Sequence, residues 1–460
     1  MIDKLNIILN GKNVTGIKGY ENYPYKTFTT ATTQLLDGDL LRYTNTDETI
    51  NGINILPSNT SYNFDLGDGN ITLSSGGNAL IGNNGWSFPE IKNINIKSKG
   101  LFNVQKTIRY GKGNVSFELN NCNVSNWILA TKGNIDIKIN SLNSTINYTG
   151  FYSGQNNNIN IDVNSLTVNG PQTIPGWNAG CFVFEATGGE LTDNCDFNLN
   201  INNVKINSAS GTVCEVGSGP DLMQNSRCNI NVKNIIQESS LGGYAAYPNN
   251  NLHFSNLFTL FRSNGGGSNI QNVSCNIDVG SSTSDVAFIH TGSMGITSDC
   301  KYYISAKNHV CNKMESIILH NNTHNNLKLY INGNFTNTTT KNIIEVGTQV
   351  LNNNSVIQFD GNYSANGGIR LANLILDATS KIVFKGRYEL GNGSFDISGV
   401  TGAGADNVYF EDCTIITNNT ECIISGTAKN IKILDVRSNK PTNVNVTETI
   451  QSITINTNIN

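Results

Sequence analysis

The sequence predicts an all-β protein, a solenoid in which parallel strands stack coil upon coil. In the stretch 133–143, Ile135, Ile137 and Ile139 alternate with polar residues, which is the period-two pattern of a strand with one buried face. The same pattern returns along the chain at intervals of roughly 20 to 30 residues, a period typical of solenoids. Because one such strand cannot bury its apolar face alone, we expect a column of them.

The composition supports this prediction and excludes one class of function. The 460 residues would suffice for two or three ordinary domains, but a solenoid can absorb them as one unit. Only 14% of the residues are charged, and Asn, Ile, Thr and Ser are abundant. Asn tolerates left-handed turns and can pair its amide along a stack, so we expect Asn at the corners of coils. The formal net charge of −4 provides no electrostatic attraction for nucleic acid.

No targeting segment, cofactor or metal site is predicted. Residues 1–11 include Asp3 and Lys4 and are too short and too polar for a signal peptide. No apolar run approaches the roughly 20 residues that span a bilayer. The sequence also lacks a phosphate-binding loop and the paired cysteines typical of metal sites.

The pattern divides the chain into three segments, 1–34, 35–439 and 440–460. The first does not follow the coil pattern and contains an aromatic cluster at 20–28, so we expect an attachment segment or a cap over the end of the solenoid. The second carries the repeating strands and is interrupted at Gly170–Gly180 and Gly242–Asn251, two expected loops of the kind that bind ligands. The third is expected to add one or two strands as a C-terminal cap.

The first coils resemble those of a known family. The turn at Asp37–Asp39, the apolar run ending at Pro57, the alternating strand 62–66 and the turn at Gly67–Gly69 resemble the entry coil of pectin-lyase-like right-handed parallel β-helices. Within that group the chain looks most like bacteriophage tailspikes and related virion fibres. The resemblance covers the architecture of most of the chain and includes no short specific motif. It implies a right-handed parallel β-helix of roughly a dozen coils.

The resemblance also implies a function. It predicts a structural protein of a phage virion, a tailspike, tail fibre or head fibre, that attaches to polysaccharide on the host surface. Such a protein is made in the host cytoplasm and located in the virion, and we expect a homotrimer whose N-terminal segment contacts other virion proteins. The alternative function is a polysaccharide depolymerase, a glycosidase or lyase, on the same architecture. A bacterial adhesin is less favoured because no export signal is present, and we expect binding without cleavage.

Four cysteines come just before repeating strands, at positions whose side chains the alternation predicts to point into the core. They are Cys195, Cys228, Cys275 and Cys300. Because stacked strands lie about 4.8 Å apart, the sequence predicts a ladder of four buried thiols. Ten cysteines in a chain without an export signal indicate reduced residues that fill the core.

Ionisable residues recur in the strand before each repeating strand. Aligning the coils on the ends of their apolar runs predicts one ridge of ionisable side chains, made of Glu185, Glu215, Arg262, His290, His320, Glu345 and Asp377. Trp177, in the loop that enters the Glu185 strand, is a candidate for stacking on a sugar.

Three interpretations of this ridge remain open. It is a solvated column whose ion pairs are each worth under about 1 kcal/mol, or a buried face between subunits of a trimer, or a carbohydrate groove. In a groove, Glu185 and Glu215 on adjacent coils, about 5 Å apart, would act as acid and base or nucleophile on a glycosidic bond. A metal bound by the stacked histidines and Glu345 is the least favoured interpretation, because the sequence shows no residue that would orient the histidine rings by a hydrogen bond.

Overall fold

The computed structural model describes the greater part of the chain. The described residues are 6–9, 36–43, 47–50, 61–73, 93–105, 108–111, 113–125, 128–131, 133–145, 150–169, 181–185, 191–207, 212–218, 222–238, 256–261, 269–291, 295–320, 322–405, 407–419, 422–425, 432–433, 436–438, 440, 442–445 and 454–455. The predicted loops Gly170–Gly180 and Gly242–Asn251 and the aromatic cluster at 20–28 lie outside them.

The fold is a right-handed parallel β-helix, as the sequence predicts. Strands fill three sheets in which every pair is parallel, and no helix occurs among the described residues. It follows that none of these residues belongs to a helix long and apolar enough to cross a bilayer. In the regular coils the chain passes from the second sheet to the third and then to the long sheet, before it starts the next coil.

The long sheet has 20 strands. They are Asn6–Leu9, Leu40–Tyr43, Glu48–Ile50, Ser61–Asp65, Ile71–Leu73, Asn93–Val104, Asn114–Val124, Ile135–Ser144, Asn158–Val168, Asp196–Ile206, Arg227–Gln237, Ser274–Ser284, Lys301–Cys311, Lys328–Asn337, Val356–Ala365, Lys381–Glu389, Val408–Ile416, Lys432–Ile433, Val436–Ser438 and Thr454–Ile455. The first of them pairs with Leu40–Tyr43, so the stack includes part of the segment 1–34.

The second sheet has 13 strands, one in each of 13 coils, close to the predicted dozen. They are Ile108–Gly111, Ile128–Thr131, Gly150–Ser153, Phe182–Glu185, Cys214–Ser218, Asn256–Leu260, Ala287–Thr291, Ile317–Leu319, Ile344–Val346, Ile369–Leu371, Phe395–Asp396, Cys422–Ser425 and Thr442–Asn445. The last strand of this sheet and Thr454–Ile455 of the long sheet lie within the C-terminal segment 440–460.

The third sheet has 8 strands, all short. They are Thr192–Asp193, Leu222–Gln224, Asn269–Gln271, Ile296–Ser298, Asn322–Asn325, Gln349–Asn352, Leu374–Leu376 and Val400–Thr401. Between this sheet and the long sheet the chain turns through single residues with positive φ, from Asn194 (52°) and Asn225 (50°) to Asn326 (54°). The Asn225 amide donates to Asp193 and accepts from Asn272, both at 2.9 Å. The predicted role of Asn at the corners is confirmed.

The long strands themselves turn a corner. In the strand Ile135–Ser144 the side chains of Ile135, Ile137 and Ile139 are buried, as predicted, but burial then shifts to Leu142 and Ser144. Two consecutive side chains, Asn140 and Ser141, therefore face outward, which requires a bend in the strand. The sheet thus has two arms that close two sides of the core.

The four cysteines are buried, which confirms their inward parity, but the predicted single ladder is wrong. Cys228 pairs with Cys275 on the next coil, whereas Phe197 and Tyr302 occupy that level in the coils on either side. Cys195 instead lies level with Ser226, and the Cys195 backbone N–H donates to the Ser226 hydroxyl at 3.1 Å. The reason is local, because Cys195 and Cys300 directly follow the left-handed corner residue, whereas Cys228 and Cys275 come three residues after it.

Candidate functional site

One set of residues in the second sheet points away from the core at successive levels. The register places in one line Glu215, Thr259, His290, Ile318, Glu345, Arg370 and Asp396. We call this line the outer column. Its neighbours in the strands, such as Ile344 and Val346 beside Glu345, are buried in the core. Alternation in each strand therefore brings six polar side chains, and the buried Ile318, to one outer face.

The outer column contains Glu215, His290 and Glu345 of the predicted ridge, but the predicted alignment of Glu185 with Glu215 is wrong. Val183 lies opposite Glu215, and Glu185 lies opposite Ser218, because the register shifts after Phe184. The two carboxylates are therefore not at adjacent levels of one column. The side chain of Glu185 lies outside the described part of the chain, as do Arg262 and Trp177.

His320 and Asp377 also lie outside the outer column, so the predicted ridge is wrong at these two positions as well. His320 follows the strand Ile317–Leu319, and its ring covers Gly347 so closely that a Cβ there would lie 2.1 Å from Nδ1. Asp377 follows a strand of the third sheet. Burial acts to raise the pKa of Asp377, but hydrogen bonds from Asn353, Ser380 and Thr379 lower it to about 2. Asp377 thus holds a turn.

The first half of the outer column is closed to large ligands. Glu215 is 1% exposed, Thr259 is 4% exposed and His290 is 7% exposed. A polysaccharide cannot reach a carboxylate buried to this extent, so the described geometry gives Glu215 no access to a glycosidic bond.

The second half opens into a cleft of about 360 Å³. It is lined by Glu315, Ile318, His320, Thr340, Lys341, Asn342, Glu345 and Arg370. We call it the Glu345 cleft. Thr340, Lys341 and Asn342 belong to the segment that leads into the strand Ile344–Val346, while Arg370 comes from the next coil. The cleft thus forms where a connection folds back over the outer column.

Glu345 is the fixed centre of this cleft. The Asn342 amide donates to its Oε2 at 2.8 Å, and Arg370 Nη1 donates to its Oε1 at 3.3 Å. Its side chain is only 15% exposed, whereas that of Arg370 is 53% exposed. Burial raises the pKa of Glu345, although the amide and the guanidinium both act to lower it. Glu345 therefore orients Arg370, which faces solvent.

His320 lies beside this pair as a neutral ring. Burial and, to a smaller extent, the positive charge of Arg370 lower its pKa to about 4. The Thr291 hydroxyl accepts from the His320 backbone N–H at 2.7 Å and donates to the His320 carbonyl at 3.1 Å. The imidazole stacks toward His290 with ring centroids 6.4 Å apart. At neutral pH the cleft therefore carries its positive charge on Arg370 and Lys341.

The cleft offers a mixed set of hydrogen-bonding groups. A guanidinium has five N–H donors, of which the described contacts of Arg370 use one. Lys341, Asn342 and Thr340 add an ammonium, an amide and a hydroxyl, and Glu315 adds a carboxylate acceptor. Such a set suits a ligand with hydroxyls and a negative charge. Within the described ranges, no group of three or more His, Cys, Asp or Glu residues could hold a metal ion.

Sequence reasoning missed Arg370, Asp396 and the segment 340–342. A recognisable signal exists for the first two, because six of the seven outer-column residues, all but His290, are the middle of an apolar–X–apolar triplet, as in Ile369-Arg370-Leu371 and Phe395-Asp396-Ile397. Aligning on the triplet, rather than on the end of the apolar run, recovers the observed register for these six residues. No comparable pattern marks 340–342.

No protein-family model matches this chain, and neither a curated protein nor a solved structure matches it.

Proposed function

We propose that this protein is a structural component of a phage virion, a tailspike, tail fibre or head fibre, that attaches the particle to an acidic polysaccharide on the host surface. The observation that carries the proposal is the pairing of partly buried Glu345 with exposed Arg370 in the Glu345 cleft. A guanidinium held by one carboxylate presents its remaining donors in a fixed geometry, which suits the carboxylate of an acidic sugar. Lys341 and Asn342 would bind neighbouring hydroxyls.

The architecture supports this role because a solenoid is rigid along its length. Each coil is hydrogen-bonded to the coil before it and the coil after it, so a cleft on its surface needs little reorganisation to bind. We propose a homotrimer, in which three clefts bind one polymer and raise the overall affinity, with the segment 1–34 in contact with other virion proteins. Sedimentation velocity tests the trimer, and a monomer would contradict it.

The test of the cleft is the substitution Arg370→Gln. We expect it to weaken binding to purified acidic polysaccharide of the host surface by about 10- to 100-fold, because a charge-assisted hydrogen bond is lost. Wild-type binding should also fall with added salt. Biolayer interferometry with immobilised polysaccharide measures both effects.

The matched control is Arg387→Gln, which removes a partly exposed arginine paired with Glu389 on the long sheet, away from the cleft. It should bind like the wild type. The proposal fails if Arg370→Gln binds as tightly as the control, or if the wild type binds no host polysaccharide.

The alternative function, a depolymerase, is favoured by one observation, the raised pKa of Glu345. A carboxyl of this kind can donate a proton to a leaving group. Both Glu345 oxygens, however, are held by Asn342 and Arg370, so we expect no release of oligosaccharide from the bound polymer. A reducing-end assay measures it, and release that stops in Glu345→Gln would establish the enzyme instead.

A further inference from the structure

A second groove lies on the long sheet, away from the Glu345 cleft. Its volume is about 1080 Å³, and it follows six successive coils along the solenoid axis. At five of the six levels the strand contributes two outward side chains that lie on either side of an inward one, as Lys138 and Asn140 lie on either side of Ile139. At about 4.8 Å per coil, the groove is about 24 Å long.

One side of the groove is a ladder of amides. Asn140 donates to Asn120 at 3.1 Å, Asn164 donates to Asn140 at 3.0 Å, and Asn202 donates to Asn164 at 2.9 Å. An amide has two N–H donors and two acceptor lone pairs. Each inner rung uses one of each in the ladder, so it can present one donor and one acceptor to a ligand. The result is a repeating hydrogen-bonding edge at coil spacing.

The other side of the groove is a column of alternating charge. The register runs through Asp65, Lys97, Glu118, Lys138 and Asp162. Opposite charges follow one another along it, and Lys97 contacts Glu118 at 3.0 Å. The groove as a whole contains four carboxylates and three ammonium groups. Alternating charges cancel at a distance, so the groove has no strong field to attract a polyanion or a polycation.

We propose that this groove binds an extended, uncharged polysaccharide lying along the solenoid axis. Hydroxyl groups both donate and accept, and a polymer repeats them at every sugar, which matches a ladder that offers one donor and one acceptor at each inner rung. A polypeptide strand fits poorly, because the backbone groups of these strands already pair with the neighbouring coils. The phosphates of a nucleic acid would find no net positive charge in a groove with four carboxylates and three ammonium groups.

The inference rests on the proposed function, because it adds a second surface for host glycans, but it uses different residues and can fail alone. The test is the double variant Asn140→Ala/Asn164→Ala on an array of uncharged and acidic oligosaccharides. We expect the full-length wild type to bind uncharged chains and the double variant to bind them about tenfold more weakly, because two rungs of hydrogen bonds are lost.

The control is Asn229→Ala/Asn276→Ala, which breaks two ladder bonds of 3.0 and 2.9 Å on the same sheet outside the groove. It should bind as the wild type does. Equal binding of uncharged chains by the groove variant and the control overturns the inference, and so does a wild type that binds acidic chains alone. Loss in Arg370→Gln without loss in the groove variant overturns this inference and leaves the proposed function in place. A wild type that binds no glycan overturns both.

Discussion

Acidification from pH 7 to pH 4 should strongly destabilise this solenoid, because two buried histidines take up protons at much lower pH in the folded chain than in the unfolded chain. His309 lies between Phe288 and Phe335, with ring centroids 4.8 and 5.8 Å away, and its Nδ1 contacts the Ser282 hydroxyl at 2.9 Å. Burial lowers its pKa from 6.5 to about 3.

His324 is buried in a polar network. Its Nδ1 lies 2.7 Å from the Thr297 hydroxyl, and its Nε2 lies 2.9 Å from Gln349 Oε1. Because that oxygen only accepts, Nε2 carries the proton and Nδ1 accepts from Thr297. Burial lowers the pKa of His324 to about 4, against a smaller opposing effect of Gln349.

The direction of the effect follows from these two pKa values. The unfolded chain takes up protons near pH 6.5, whereas the folded chain does so only near pH 3 to 4. Stability is therefore complete above pH 6.5 and is lost as the pH falls through that window. The loss is about 1.4 kcal/mol per pH unit for each histidine, or roughly 3 kcal/mol each by pH 4.

Urea unfolding followed by circular dichroism at several pH values between 7.5 and 4 measures this loss. Replacement of His309 or His324 by Gln removes one titrating group, so each variant should show a shallower dependence on pH than the wild type. A midpoint that does not change between pH 7 and pH 4 would rule out this explanation.

Gly361→Ala should destabilise the stack by about 3 kcal/mol or more, because a methyl group at this position meets backbone. Gly361 has a φ of +116°, and a Cβ would lie 2.2 Å from the carbonyl oxygen of Gly333 in the preceding coil. Gly386 makes the same approach to Gly361 at 2.2 Å. No rotation of a side chain can relieve such a contact, so the coils themselves would have to separate.

The control for this substitution is its neighbour, Asn362→Ala. Asn362 is exposed and donates one ladder hydrogen bond to Asn334 at 2.7 Å, so its loss should cost under about 1 kcal/mol. The thermal unfolding midpoint measures both variants, and a Gly361→Ala protein as stable as the control would mean that the coils are not packed as described.

The strands could be predicted from the sequence because alternation is a local property. The alternation of Ile135, Ile137 and Ile139 with polar residues indicates the buried face within five residues. The same rule predicted that the four cysteines point into the core. Register between coils is not local. It depends on connections of unequal length and on irregularities such as the shift after Phe184, which placed Glu185 opposite Ser218.

The candidate site could be predicted only in part for the same reason. Glu345 could be identified because it follows the apolar pair 343–344, where the alignment of the coils places the ridge. Arg370 is its neighbour only through the pairing of two coils, and Asn342 reaches it through a connection. Neither relation appears in a linear pattern, so the cleft required the structure.

The most direct test of the proposed attachment role is a structure of the full chain bound to an acidic oligosaccharide prepared from the host surface polysaccharide. We expect the carboxylate of one sugar to contact Arg370, with neighbouring hydroxyls on Lys341 and Asn342 and the Glu345–Arg370 pair intact. A sugar bound elsewhere, with the cleft empty at saturating ligand, would contradict this account.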